Sequence, residues 1–231
     1  MTACNSGPWR ARRPFAVVAC VLLAAVLAQD ARAADLNDPR LDAVASVIAD
    51  HDVHVWCENN YADWSTDALG YTFDPAYTHT VWIHPWVCRT LEDQLNGGVY
   101  ADDSMGFPKG TPVALMALAE SVHTLVHESV HQIGGSYSDC TTADESCEAR
   151  TECKALTLDA WVVTRFFGIP ATVRHETTIR ITRREAIHGR RRVTHVLVRT
   201  STAVPNPELD AFEAFVWQFH RTLPPQYQGS C

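Results

Sequence analysis

Three side chains in the segment His127-Glu128-Ser129-Val130-His131 have the types and spacing of a metal-dependent hydrolytic site. His127 and His131 are four positions apart, so on a helix their rings project from one face, one turn apart. Two such rings can bind zinc, and Glu128 is placed to hold a water molecule and accept its proton. The pattern predicts one zinc ion per chain, provided that a further residue completes the ligand set.

The residues directly after this motif do not complete the site in the manner of the metzincins. That class has a further ligand at a fixed spacing and a methionine turn. Gly134 fits its pattern, but Tyr137 occupies the ligand position and no methionine follows Met116. Asp139 would be out of register, so it is a less favoured ligand.

A second predicted helix offers a better third ligand. The segment C-E-A-R-T-E-C contains Glu148 and, one helical turn further on the same face, Glu152. An antiparallel helix pair would bring both carboxylates opposite His127 and His131. We therefore predict that Glu148 binds the metal. Glu152 would accept the second ring N–H of a ligand histidine and so fix its tautomer.

The full pattern resembles the gluzincins, the thermolysin-type zinc metallopeptidases. It is more specifically similar to small exported bacterial proteins in which H-E-x-x-H is followed by E-A-x-x-E-C-x-A, here residues 148–155. Trp64 and the tail segment L-P-P-Q-Y at 223–227 resemble the same group. The resemblance implies an α+β, minimal zincin-like domain, in which two long metal-site helices pack beside a small sheet and disulfides staple the fold.

The same resemblance implies zinc-dependent hydrolysis of peptide bonds, with Glu128 as the catalytic base. The zinc ligands would be His127, His131 and Glu148, with Glu152 behind them, and the substrate would be a peptide or a protein. Two alternatives stay open. A zinc hydrolase could act on another kind of substrate, or a non-catalytic extracellular binding protein could use zinc and disulfides only to hold its scaffold.

Four further residues are candidates for roles around the metal. His123 extends the histidine stripe one turn earlier, and we interpret it as lying behind the metal or lining the cleft rather than as a ligand. An enzyme of this kind also needs a donor for the oxyanion of the transition state. Tyr137, His175 and Tyr227 could each supply that donor, and the sequence does not choose among them.

The elements that must position these residues are predicted from hydrophobic periodicity and from helix stop signals. The clearest is a helix at 111–133, with Thr111 as its cap, Pro112 in its first turn and two glycines at its end. A second helix spans about 144–167. The other predicted elements are helices at 39–50 and 207–220, strands at 53–57 and 78–84, an irregular connection at 58–77, and a β-hairpin at 172–200.

Residues 1–33 are predicted to be a cleaved signal peptide. Basic residues precede the apolar run FAVVACVLLAAVLA, and an A-x-A cleavage site follows it. The mature chain would begin at Ala34 and form a single domain, 34–231, with no membrane span. Arg12-Arg13 is compatible with a twin-arginine route, and Cys20 with a less favoured lipid anchor. The predicted location is secreted, or on the exterior of the cell envelope.

Six cysteines remain after removal of the signal peptide, and an even number in an exported chain indicates disulfides. Six cysteines allow fifteen pairings. Free thiols at one or two positions are the alternative, and the absence of a C-x-x-C pair argues against cysteine as a metal ligand. The preferred pairs are Cys57–Cys88, Cys140–Cys147 and Cys153–Cys231.

Charge is unevenly distributed along the predicted mature chain. Its 15 basic and 26 acidic residues give a formal charge of −11, which argues against a general nucleic-acid binder. Residues 171–200 instead have a positive net charge, since they contain eight arginines and two acidic residues. The basic hairpin lies outside the family resemblance and is interpreted as an insertion. Its arginines are interpreted as a solvated turn, and only the binding-protein alternative has them engage an acidic partner. The sequence leaves the oligomeric state open.

Overall fold

The computed structural model of the chain describes residues 38–57, 69–72, 79–97, 111–137, 140, 145–187, 190–228 and 231. The predicted signal peptide at 1–33, Trp64, Asp139 and the turn of the hairpin at 188–189 lie outside this part of the chain. What the sequence analysis expects at those positions stays a prediction.

The described residues form an α+β fold, as predicted, with helices in the body of the protein and two small sheets. No helix in this part of the chain is long and apolar enough to cross a membrane. The helices are α1 (Pro39–Ala49), α2 (Pro85–Leu95), α3 (Pro112–His131), α4 (Glu145–Phe166) and α5 (Pro207–His220). The strands are β1 (His54–Cys57), β2 (Gly70–Tyr71), β3 (Thr80–Ile83), β4 (Thr172–Ile187) and β5 (Arg190–Pro205).

Helix α3 lies at the centre of the molecule, where it packs against α1, α2, α4, α5, β2 and β3. Thr111 caps it by accepting a hydrogen bond from a first-turn backbone amide at 3.3 Å. Leu118, Val122 and Leu125 follow at helical spacing and are buried in the hydrophobic core. Every residue from 121 to 131 is buried. The polar side chains of this stretch must therefore find partners inside the protein.

A three-stranded mixed sheet packs beside α3. Strands β1 and β3 are parallel, and β2 pairs antiparallel with β3, so β2 lies at an edge of the sheet in the described part of the chain. Val55, Val81 and Ile83 are buried in the core. The prediction of an irregular connection at 58–77 is wrong at Gly70–Tyr71, which form strand β2. The sequence could not indicate this strand, because two residues are too few to show the alternation of side chains that identifies a strand.

Helix α2 is absent from the predicted elements. Pro85 marks the end of the predicted strand at 78–84, and it occupies the first turn of this helix. Backbone amides in the first turn form no hydrogen bond within the helix, so proline, which has no N–H, is tolerated there. His84 caps the helix, since its ring nitrogen accepts a hydrogen bond from the Trp86 amide at 3.4 Å. Val87 and Leu91, four positions apart and buried, are the sequence signal for α2.

Three disulfides staple the fold, and they are the three preferred pairs: Cys57–Cys88, Cys140–Cys147 and Cys153–Cys231. The first ties the end of β1 to α2. The second joins position 140 to the first turn of α4, and the third joins α4 to position 231. Such bonds persist in oxidising compartments, which fits an extracellular environment.

Strands β4 and β5 form a two-stranded antiparallel ribbon, hereafter the ribbon. Its register runs from Thr172 paired with Pro205 to Ile187 paired with Arg190. The hairpin predicted at 172–200 is correct in type, but its second strand continues to Pro205. The two strands make their substantial contacts with each other rather than with the remaining elements, hereafter the body. Within the part of the chain that the structure describes, the ribbon is therefore an arm that the body does not cover.

Asn206 fastens the base of the ribbon to the body. Its side-chain oxygen caps α5 by accepting a hydrogen bond from the Glu208 amide at 3.1 Å. Its side-chain nitrogen donates to the Pro170 carbonyl at 2.7 Å, and its backbone amide donates to the Ala171 carbonyl at 3.1 Å. Because Asn206 is buried, water cannot replace these partners easily.

We expect Asn206→Ala to lower the free energy of unfolding by about 1–3 kcal/mol, because it removes a helix cap and the hydrogen bond from the buried Asn206 side chain to the Pro170 carbonyl. Asn206→Ser can still cap α5 but cannot reach the Pro170 carbonyl, so its loss should be smaller. Urea unfolding of the three proteins measures both differences. An unchanged free energy in Asn206→Ala would contradict this role for the side chain.

Candidate metal centre

Helices α3 and α4 pack antiparallel, as predicted, with histidines of α3 facing carboxylates of α4. At one end, His123 Nδ1 lies 2.7 Å from Asp159 Oδ2. At the other end, His131 Nε2 lies 3.5 Å from Glu148 Oε2. The contacts thus run in opposite directions along the two helices, and they bring the predicted ligand residues to the same end.

Three of the predicted ligand atoms converge at that end. Nε2 of His127 lies 3.2 Å from Nε2 of His131, and Oε2 of Glu148 lies 3.3 Å from the first nitrogen and 3.5 Å from the second. A tetrahedral zinc site with bonds of ~2.0–2.1 Å has ligand atoms ~3.3–3.4 Å apart. The three atoms therefore have the mutual spacing that a single zinc ion requires, and together they could hold a metal ion.

The second nitrogen of each ring is held by an acceptor. His127 Nδ1 donates to Glu152 Oε2 at 2.8 Å, and His131 Nδ1 donates to the Tyr137 carbonyl oxygen at 2.6 Å. A ring that donates from Nδ1 presents the lone pair of Nε2 when it is neutral. Both histidines are therefore oriented with Nε2 towards the shared point, as ligand histidines require.

Glu148 brings a negative charge to the same point. Its Oε2 atom is buried and accepts no hydrogen bond from the described residues. Burial alone would raise the pKa of Glu148, but the adjacent His127 and His131 rings outweigh it and lower the pKa to about 2. This oxygen is thus buried, ionised and faced by the Nε2 atoms of the two rings, a setting that suits metal binding once those nitrogens are unprotonated.

Glu152 binds three histidines at once. Its Oε2 accepts from His127 Nδ1 at 2.8 Å, its Oε1 accepts from His220 Nδ1 at 2.7 Å, and His123 Nε2 lies within 3.0 Å of both oxygens. Burial would raise the pKa of Glu152, but the rings of His123 and His127 hold it well below its usual range. The carboxylate is fully buried and ionised, and its charge is shared among the rings.

His123, His127 and Glu152 form a second group whose atoms lie close enough to hold a metal ion. In this group, however, the facing atoms are already joined by hydrogen bonds of 2.8–3.0 Å, and the other nitrogen of His123 donates to Asp159 at 2.7 Å. Both carboxylate oxygens of Glu152 already have donors. The group of His127, His131 and Glu148 is therefore the better candidate for a metal site.

Glu128 lies next to the ligand residues and is positioned by β2 and the residue after it. Thr72 Oγ1 donates to Glu128 Oε2 at 2.8 Å. Gly70 provides the space, since a Cβ atom at that position would lie only 2.5 Å from Cγ of Glu128. The Glu128 carboxylate is close enough to His127 to raise the pKa of that ring. A side chain at position 70 would displace the carboxylate or the strand.

The three candidates for the oxyanion donor occupy different places. His175 lies on the exposed ribbon, away from the body. Tyr137 contributes its backbone carbonyl to His131. The ring of Tyr227 lies 5.7 Å from the ring of His127, centroid to centroid. Burial and the nearby carboxylates raise the pKa of Tyr227 to about 12, so its hydroxyl stays protonated and able to donate. Tyr227 is the candidate that the geometry favours.

Four residues that contact this site are missing from the sequence predictions: Gly70, Thr72, Asp159 and His220. Asp159 had a detectable signal, because it lies two helical turns after Glu152 on the same face of α4. Gly70 and Thr72 lie in a stretch with no clear periodicity. His220 reaches Glu152 only through the packing of α5, which no local pattern displays.

Comparisons of this chain with protein-family models, with curated proteins and with solved structures found no match. The chemistry of the site is therefore inferred from its own side chains: two oriented imidazole rings, one ionised carboxylate without a donor, and a second carboxylate beside them.

The metal-free protein should be most stable in mildly acidic solution. Burial would lower the pKa of His123, but Asp159 and Glu152 raise it from 6.5 to about 10. Between these values the folded chain binds more protons than the unfolded chain, so the free energy of unfolding should fall as pH rises through this window. The pKa of Glu148 is lowered from 4.5 to about 2, so stability should also fall as pH drops from ~4.5 towards ~2.

Urea unfolding of the chelator-treated protein at pH 3, 5, 6.5 and 9 measures this dependence. His123→Gln is the control, because it removes one of the protons bound in the upper window and should make the decline less steep. Stability that is constant or rises from pH 6.5 to pH 9 would contradict the assignment of a protonated His123.

Proposed function

We propose that this protein is an exported zinc metallopeptidase of the gluzincin type, which hydrolyses peptide bonds. The main support is the convergence of His127 Nε2, His131 Nε2 and Glu148 Oε2 within 3.5 Å of one another. Glu128 adds a general base on the same helix. A zinc ion that served only to hold the scaffold would require no such base, so the combination favours an enzyme over a binding protein.

The donor set favours zinc. Two imidazole nitrogens and one carboxylate oxygen match the three protein ligands of a known type of catalytic zinc site, which keeps its fourth position open. The side chain of Glu148 is 22% exposed, whereas that of Glu152 is 1% exposed. Access from solvent is therefore on the Glu148 side. Structural zinc sites are instead closed by four protein ligands.

When bound, a zinc ion would make a water molecule more acidic and polarise the scissile carbonyl. Glu128 accepts the proton of the attacking water and donates it to the amine that leaves. Thr72 donates to Oε2 of this carboxylate at 2.8 Å and so fixes its orientation. Glu152 and the Tyr137 carbonyl keep the two histidine rings from turning during these steps.

Tyr227 supplies the hydrogen-bond donor for the oxyanion. Its hydroxyl keeps its proton throughout the physiological range, because burial and the nearby carboxylates raise the pKa of Tyr227 to about 12. A neutral donor beside His127 can stabilise negative charge that develops on the carbonyl oxygen, and such donors contribute strongly to the rate.

The edge position of β2 supports a peptide substrate. Strand β2 borders the sheet in the described part of the chain, and its Gly70 is packed against Glu128. An extended peptide can pair with the free edge of a sheet, which would carry its backbone past the general base. A small, compact substrate would have no use for a strand edge in this place.

Glu148→Gln should lose most of its zinc, because the substitution replaces the anionic ligand by an amide. Glu152→Gln should weaken zinc affinity by ~10–100-fold without abolishing it, the usual loss when a group that orients a ligand is altered. Competition with a fluorescent zinc chelator measures both variants, with Glu213→Gln on the exposed face of α5 as the control. The reverse ranking of the first two variants would exchange the roles of Glu148 and Glu152.

Glu128→Gln should keep one zinc ion per chain but lower the rate of peptide hydrolysis by ~100-fold or more, as the loss of a general base requires. A peptide-library digest of the zinc-loaded protein measures the rate. Glu120→Gln is the matched control, since it makes the same change two turns earlier on α3 and should have little effect. If neither the parent protein nor Glu120→Gln cleaves any peptide while both bind zinc, the non-catalytic binding protein replaces this proposal.

A further inference from the structure

The register of the ribbon separates its side chains into two different faces, because neighbouring residues of a strand point to opposite sides. One face, hereafter the basic face, carries arginines at positions 174, 180, 184 and 199, and all four are exposed. No ion pair involves these four residues in the described part of the chain. The exposed apolar side chains of this face, Val193 and Leu197, lie opposite arginines 184 and 180, so the face is mixed rather than apolar.

The opposite face carries two neighbouring cross-strand pairs of apolar residues, Ile179–Val198 and Ile181–Val196. These four residues are called the apolar patch. Ile179 is 49% exposed, Ile181 is 48% exposed and Val196 is 43% exposed. Threonines 177 and 200 continue the patch towards the base of the ribbon. The patch lies near the midpoint of the two strands, which run from 172 to 187 and from 190 to 205.

Nothing in the described part of the chain covers the apolar patch. The strands make their substantial contacts only with each other, and the hydrogen bonds of Asn206 hold only the base of the ribbon. An isolated two-stranded ribbon is marginally stable in water, and it gains stability when an apolar face is packed against another layer. The ribbon therefore has one mixed face, in which arginines stand opposite the apolar side chains, and one face whose contiguous apolar patch lacks a partner in the described part of the chain.

We propose that the apolar patch is the interface of a homodimer, in which the ribbons of two copies pack face to face about a twofold axis through the patch. Because the patch lies at the midpoint of the ribbon, an antiparallel arrangement of the two ribbons superposes patch on patch. Strands of 16 residues are ~50 Å long, and a two-stranded face is ~10 Å wide. The two faces together would bury about 1,000 Å², the lower limit of a specific interface.

Charge complementarity supports a second copy as the occupant. In the antiparallel arrangement, the tip of each ribbon lies over the base of its partner's ribbon. The tip is basic overall, with five arginines, at positions 183, 184 and 190–192, against one acidic residue, Glu185. Helix α5 starts directly after the base of the ribbon and carries Glu208, Asp210 and Glu213, all exposed. Each end of the interface would therefore bring a basic tip next to an acidic helix.

The net charge of the body also supports a second copy of the chain as the partner. Outside the ribbon and the predicted signal peptide, the chain has 24 acidic and seven basic residues. Another copy of this chain is therefore an acidic partner for the basic tip. The arrangement also keeps like charges apart, since Arg183 would face the uncharged threonines of the partner's ribbon base rather than a second arginine.

The test is the oligomeric state of the disulfide-bonded chain, measured by sedimentation equilibrium over a range of concentrations. Val196 and Leu197 are adjacent on β5 and point to opposite faces, so they form a matched pair of sites. Val196→Glu would place one unpaired charge from each copy in the interface and should raise the dimer dissociation constant at least ~100-fold. Leu197→Glu, on the basic face, should change the constant by less than ~3-fold.

A second variant distinguishes loss of the dimer interface from unfolding of the ribbon. Ile179→Thr combined with Ile181→Thr keeps β-branched residues that favour strands, and it should still raise the dissociation constant at least ~10-fold. Circular dichroism checks that the strands persist.

Three results would overturn the proposal. The first is a parent protein that remains monomeric at ~100 μM, a concentration at which a specific dimer of micromolar or tighter affinity is almost fully associated. The second is an equal effect of Val196→Glu and Leu197→Glu, which would indicate pairing through strand edges. The third is a monomer that sediments with vesicles of anionic phospholipid, which would make the basic face a membrane-binding surface.

Discussion

The carboxylate of Glu152 joins three helices of this protein at one point. It lies on α4, and it accepts hydrogen bonds from His123 and His127 of α3 and from His220 of α5. A buried carboxylate without partners would cost several kcal/mol, so the three rings must surround it whenever the body is folded. The same group thus holds the helices together and sets the direction of the His127 ring, and the rest of the site depends on both.

This constraint explains how two glutamates one helical turn apart can have different roles. Glu152 is fully buried, and both of its carboxylate oxygens already accept hydrogen bonds from histidine rings. Glu148 lies near the carboxyl end of α3, and its side chain is partly exposed to solvent. Its Oε2 atom accepts no hydrogen bond from the described residues. The difference between the two residues is one of surroundings rather than of chemistry. A rigid, satisfied network behind a site lets the atoms in front of it stay unsatisfied without collapsing onto one another.

Local spacing explains how much of this arrangement the sequence could predict. His127, His131, Glu148 and Glu152 are defined by one-turn intervals within single helices, and helical periodicity displays such intervals directly. The long helices α3 and α4 were predictable for the same reason. Other parts depend on contacts between distant segments: Thr72 meets Glu128 across 56 positions, and His220 meets Glu152 across 68. No local pattern encodes these encounters, and the two-residue strand β2 is too short to produce a pattern of its own.

The bond between Cys153 and Cys231 closes a covalent ring whose ends are 78 positions apart, and the whole ribbon lies within that ring. An exposed hairpin is the kind of segment that a foreign protease cuts first. A single cut in a ring releases no fragment, since both new ends remain attached through the disulfide. The piece bearing Glu148 and the piece bearing Tyr227 would stay parts of one molecule. In a space where proteolysis is common, this chain could thus be nicked in its most accessible segment and still keep its centre assembled.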